Sequence, residues 1–287
     1  MKISRVRWEN WDAVRCVAGE CELIVGVSAG PRILSLRRGA GPNLLYRDTT
    51  NFRIGDWRLH GGHRFTVGPE GDDSYLPDNL PCAVELDGDE VRVFAPRGGD
   101  GLQRGLSIGP AVDGAGFDLC HRVENHGPGV WRGVPWAITC VPDAGVVVAP
   151  CGQPRVRFWP EADRAPWLVT PGCVVLRPRG TRTKAGWHSA AAWVASLQPA
   201  GTLVVHCPDA NLVRDCADGG CNVEVFACGD YVELETLGAL VALAPGGHVA
   251  HRQRWRLLAA AHSVENWMAI GKEAGCGRPA LEPAYAE

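Results

Sequence analysis

Short runs of strand-forming residues, cut by Gly, Pro, Asn and Asp at intervals of roughly 8–12 residues, recur along almost the whole chain. Few stretches between such breaks carry a helical apolar period, so the spacing predicts a β-sandwich or barrel. Strands are expected over residues 21–28, 32–36 and 44–46. Residues 83–86 and 90–94 form a hairpin about Asp87-Gly88-Asp89, because Asp-Gly tolerates positive φ. Further strands fall at 106–110, 116–123, 130–141, 146–149, 155–159, 174–177, 191–197, 202–206, 222–227, 231–237 and 251–258. Only residues 259–274 read as helical, with Val264, Trp267, Met268 and Ile270 on an apolar face, and 275–287 read as a tail.

A length of 287 residues could hold two ordinary domains, but all-β folds often keep such lengths in one. No fixed-period repeat or low-complexity linker divides the chain. A single domain over 1–287 is expected, with 259–287 as its helical and tail extension. The formal net charge of -3 argues against a nucleic-acid backbone as partner, which needs a basic surface. The first ten residues lack the apolar core of a signal peptide, and no apolar run of about 18 residues could span a bilayer. The expectation is therefore a cytoplasmic protein without a membrane partner, its oligomeric state open. Its 12 cysteines lie among apolar neighbours with no CxxC pair, and read as reduced, buried, small hydrophobes.

One stretch departs from this plain pattern. Leu59–Pro81, LHGGHRFTVGPEGDDSYLPDNLP, crowds polar and ionisable groups around a short strand at Phe65, Thr66 and Val67. A strand ending in such a knot of donors and acceptors suits a small polar ligand better than a core. Arg64 offers a forked donor to hydroxyls or a carboxylate, or else pairs with Glu70 or Asp78. His63 has a reference pKa suited to a general acid, or is a turn residue. Tyr75, Asp78 and Asn79 add hydroxyl-binding groups. Asp72, Asp73 and Asp78 lack the regular spacing of a calcium loop, and His60/His63 lack the helical spacing of a metal pair, so no metal is expected. No Gly-rich loop follows a strand and opens a helix, so no nucleotide cofactor is expected either. Far downstream, Glu233 and Glu235 stand two apart in a strand and share a face. Glu224 alternates with Asn222 and Phe226 in the same way, and Lys184 precedes Gly186.

HGGHRFTVGPE, SYLPDNLP and YVELETLGALVALAPGGHVAHRQRW, together with GPRI, NLL, PWAIT, KAG and DGGCNVEVF in that family's order, resemble the aldose 1-epimerase-like (galactose mutarotase-like) superfamily over roughly residues 25–257. The resemblance implies a large antiparallel β-supersandwich with a short C-terminal helix and a sugar-binding cleft on one concave sheet. It also implies acid–base ring opening: a glutamate takes the anomeric proton, a histidine protonates the ring oxygen, and the ring recloses with C1 inverted. Leu234-Glu235-Thr236, upstream of Pro245-Gly246-Gly247, resembles the segment of the glutamate base, which points to Glu235. His63 is the candidate acid. The chain departs from the family where a second histidine is usual, at Val134-Pro135-Trp136-Ala137; there Trp136 could stack on a sugar face instead. The expected function is a carbohydrate-binding, aldose epimerase-like protein, with a small-molecule sugar as partner. Glu235 and His63 are its expected catalytic pair, and Arg64, Glu70, Tyr75, Asp78, Asn79, Trp136, Lys184, Glu224 and Glu233 its binding groups. A non-catalytic sugar binder, and a lyase or hydrolase acting on acidic sugars, are the alternatives.

Overall fold

The computed structural model describes residues 1–152, 155–209, 215–258 and 262–276. Two large antiparallel sheets face one another. The first runs in the order Lys2–Trp8, Trp11–Ala18, Cys21–Gly26, Arg32–Arg38, His63–Gly68, Trp131–Pro142, Tyr231–Leu237, Val223–Cys228, Arg182–Trp187 and Arg157–Phe158, with Val241–Leu243 also paired to the Trp131–Pro142 strand. The second runs Trp167–Thr170, Cys173–Leu176, Val146–Pro150, Trp193–Gln198, Gly201–His206, His248–Leu258, Gly116–Asn125, Leu102–Pro110, Glu90–Phe94 and Ala83–Asp87. The expected all-β sandwich is therefore present. The hairpin at Gly88 forms as the sequence indicates, with Gly88 at φ +57° and Asp87 paired to Glu90.

Inward residues of both sheets make the core. Val14, Leu23, Ile33 and Leu234 from the first sheet meet Val93, Leu106, Phe117 and Trp255 from the second in one buried apolar cluster. Within that layer lies a polar chain. The Nδ1–H of His121 donates to the His251 carbonyl at 2.9 Å, so in the neutral ring His121 Nε2 accepts from His63 Nε2 at 2.8 Å. The Thr139 hydroxyl then donates to His63 Nδ1 at 2.9 Å. Gln253 donates to Thr236, freeing the Thr236 hydroxyl to donate to His251 Nε2 at 2.8 Å.

Several expectations need correction. Residues 44–46 are not a strand; Leu44 and Leu45 are buried, and the segment bonds singly to Leu36 and Cys140 carbonyls. The expected strand at 155–159 shrinks to Arg157–Phe158. Arg182–Trp187 and Trp167–Thr170 are strands that the apolar pattern hides. The helix covers Trp267–Glu273, after a 3-10 turn at Val264–Asn266; Ile270 is buried, but Met268 points to solvent. Residues 259–261 and the tail beyond 276 lie outside the described residues. No described helix is long and apolar enough to cross a membrane. All twelve cysteines are free thiols, most of them buried.

The loops that wall the site are tied to the first sheet by one ion pair. Arg32, wholly buried, donates to both Asp78 carboxylate oxygens at 2.8 and 2.9 Å and to the Leu59 and Arg58 carbonyls. Gly62 makes the close approach possible: at φ +67°, a Cβ there would lie 2.1 Å from the Ile33 carbonyl oxygen.

Candidate functional site

Strand alternation decides which side chains reach the open face of the first sheet. In register, Arg64 lies opposite Ile138, Ile138 opposite Glu235, Glu235 opposite Glu224, and Glu224 opposite Gly186. A second row runs Cys140, Glu233, Phe226, Lys184. Above these rows opens a cavity of about 370 Å³. Arg64, Glu70, Tyr75, Trp136, Lys184 and Glu233 line it, together with Trp57, Trp159, Arg182, Phe226 and Tyr231. The segment after His63 and the strand through Glu235, distant in sequence, thus meet.

His63 is turned away from this meeting. Its neighbour Arg64 faces the cavity, so alternation sends His63 into the layer between the sheets, where burial and the neighbouring His121 and His251 hold its pKa well below the ordinary value. Asp78 is taken up by Arg32, and Asn79 donates to the Asp56 carbonyl at 2.7 Å. Neither lines this cavity; Asp78 borders a smaller one of about 70 Å³ that shares Arg64 and Trp57 as a wall.

The floor is a charged cluster. Lys184 Nζ lies 2.9 Å from Glu224 Oε2 and 3.2 Å from Glu235 Oε2, and Trp136 Nε1 donates to the same Glu235 oxygen at 2.9 Å. Burial works against the lysine charge, but Glu235 and Glu224 more than offset it and keep the ammonium above its ordinary pKa. The Lys184 ammonium also sits 5.1 Å from the Trp136 ring centre and 4.9 Å from that of Trp159. Glu224 and Glu235 therefore stand behind Lys184, with Glu235 fully buried and outside the cavity lining. Of these three strand carboxyls, Glu233 is the one that lines the cavity. Burial, reinforced by Glu235 and opposed by Arg64 and Lys184, pushes it up to about 7. Burial and Glu235 push Glu224 up to about 8 against the pull of Lys184. Glu235 is raised as well, chiefly by burial, with Lys184 and the Trp136 hydrogen bond pulling the other way. At the rim, the Tyr75 hydroxyl donates to Glu70. Among the described residues, no cluster of three or more His, Cys, Asp or Glu could hold a metal ion.

Trp57, Trp159, Arg182 and Tyr231 go beyond the residues the sequence points to, whereas alternation already sets Phe226 beside Glu224. Arg182 shares a face with Lys184 by simple alternation, which is the signal that could have found it. The loop carrying Trp159 offers no comparable pattern.

These groups give stability a pH optimum. Glu224 and Glu233 hold protons in the folded state that the unfolded chain releases above its ordinary carboxyl range, so their contribution is present at low pH and lost as pH rises through about 7 to 8; Glu235 is shifted in the same direction. His60, His206 and His251 are lowered to about 4 and His121 to about 3, mainly by burial, and His63 is lowered in the same direction; their contribution is present above about 6.5 and lost as pH falls. The thermal midpoint should peak between about pH 6 and 7, and calorimetry across pH checks it. A midpoint rising steadily from about pH 6.5 to 8 would refute the carboxyl part.

No family model matches the chain, and no curated protein matches it in sequence. Solved structures match its fold. A TPR-domain-containing protein of Parabacteroides distasonis aligns at TM-score 0.64 and 14% identity over 96% of this chain, which spans 50% of that protein's length. A galactose mutarotase-like protein of Clostridium acetobutylicum aligns at TM-score 0.52 and 11% identity, covering 91% of this chain and 99% of its own. A galactose mutarotase-related enzyme of Lactobacillus acidophilus gives TM-score 0.52 and 10% identity over 88% and 98%. The chain has the galactose mutarotase-like fold, as the sequence motifs suggest.

Proposed function

We propose that the chain binds a sugar ring in this cavity and exchanges its anomers, with Glu233 taking and returning the proton of the anomeric hydroxyl. One observation supports the reading: a carboxyl poised at about 7 opens into a cavity above the first sheet that Trp57, Trp136 and Trp159 wall. An aromatic wall covers the C–H face of a sugar, while rim polar groups take its hydroxyls. Glu233 removes the proton from O1, the C1 carbonyl forms as the C1–O5 bond breaks, and Lys184 Nζ gives a proton to O5. Rotation about C1–C2 presents the other carbonyl face. The reverse steps close the ring and return both protons. In this scheme Glu235, the residue that resembles the family's base, keeps Lys184 charged and Trp136 oriented rather than touching the sugar.

A second reading, sugar binding without catalysis, is favoured by the absence of any histidine from the described cavity lining. Exchange NMR on a panel of aldoses separates the two. Anomerisation should accelerate for at least one sugar that the protein binds. Binding without acceleration would favour the second reading, and no binding to any member would end both.

A further inference from the structure

Three arginines are buried among the described residues: Arg32, Arg64 and Arg256. Arg32 is paired with Asp78 at 2.8 Å, and Arg256 with Asp118 at 3.2 Å and Asp113 at 3.3 Å. Arg64 is 5% exposed and has no ion pair among the described residues. Its Nη1 donates to the Ser74 carbonyl at 2.9 Å, and its Nε meets no acceptor among them. Its guanidinium is instead collared by rings, 4.7 Å from the centre of Trp57, 5.3 Å from Tyr75 and 5.9 Å from Trp136. Rings hold the fork in place and offset part of its desolvation. They leave its strongest bonding mode, a two-point grip on an oxyanion, unused.

The carboxylates nearby do not fill that role. Glu224 and Glu235 are engaged with Lys184, and Glu70 accepts from Tyr75. Glu233 feels the Arg64 charge but makes no ion pair with it, and its carboxyl is part protonated near neutrality. Glu161, on the cavity wall, is exposed to solvent.

We infer that the sugar taken up here carries an anionic substituent, a carboxylate or a phosphate, received by Arg64 at the cavity wall. The inference rests on the sugar-binding reading above. Arg182, on the same cavity and without an ion pair among the described residues, stacks 5.0 Å from the Phe226 ring centre and adds a second positive charge near the opening. A charge-assisted two-point grip gives the acidic sugar an advantage that its neutral parent lacks.

Calorimetric titration of the purified protein with matched sugars tests this: glucose, glucuronate and glucose 6-phosphate, then galactose, galacturonate and galactose 6-phosphate. An acidic member should bind at least tenfold more tightly than its neutral parent, and the carboxylate and phosphate arms identify the substituent. Arg64→Gln should remove most of that preference, so that the acidic sugar and its neutral parent bind the variant with similar affinity. Far-UV circular dichroism checks that the variant folds; the wild-type preference decides the matter where it does not. Neutral parents binding as tightly as every acidic partner would overturn the inference and leave the sugar reading standing. No binding of any sugar would overturn both.

Discussion

Glu233→Gln is expected to lower anomer exchange by about a hundredfold or more while the protein stays folded. Gln keeps the shape of the side chain and its place in the row Cys140, Glu233, Phe226, but it cannot accept the anomeric proton. Removing a positioned general base typically costs about 10²–10⁴-fold. The pH profile carries the sharper signature. Glu233 sits at about 7 and must be ionised to act as a base, so the wild-type rate should rise with pH through about 7. The residual rate of the variant should lose that rise. Glu235→Gln separates the two assignments of the base, because Glu235 lies behind Trp136 and Lys184 and reaches the sugar only through them. Exchange NMR on both variants decides: a silent Glu235→Gln beside an active Glu233→Gln would return the role to Glu235 and end the scheme proposed here.

The strand pattern that predicts the sandwich also places most of the site, for one physical reason. Alternation is a local rule, so Glu233 with Glu235, and Glu224 with Phe226, could be set on one face from their spacing alone. The same rule, applied to neighbours, shows that His63 and Arg64 cannot share a face, and the resemblance to histidine-using epimerases drew His63 into the site against it. Nothing in the spacing says that Glu235 lies under Lys184 rather than in the cavity. That ordering comes from cross-strand register between segments some fifty residues apart, where the long lysine stem reaches diagonally from opposite Phe226 to Glu224 and Glu235. Asp78 was legible as a polar loop residue but not as the partner of Arg32, since a carboxylate looks the same in sequence whether it meets a ligand or fastens a loop. The Arg182–Trp187 strand was missed because its inward positions begin with Thr183 and the small Ala185, which give too little apolar signal to mark a buried face.

Lys184→Met should be the most destabilising of the substitutions considered. Met keeps the apolar stem against Trp136 and Trp159 but removes the cation between Glu224 and Glu235, whose side chains are 1% and 0% exposed. Breaking a buried ion pair by deleting one partner costs about 3–5 kcal/mol, because a charge is left without compensation. The size of the loss must depend on pH. Both carboxyls are already raised, and Lys184 is a principal influence holding them down. Without it they rise further, so the folded variant binds protons that the unfolded chain does not, and its stability increases as pH falls. Urea unfolding at about pH 8 should show nearly the full loss, and at about pH 5.5 a markedly smaller one. Adding Glu224→Gln should recover part of the loss at the higher pH, since it removes one of the two stranded charges. An equal loss at both pH values, with no recovery in the double variant, would mean that packing of the lysine stem, not charge balance, holds this floor together, and the charge-based role of Lys184 in ring opening would go with it.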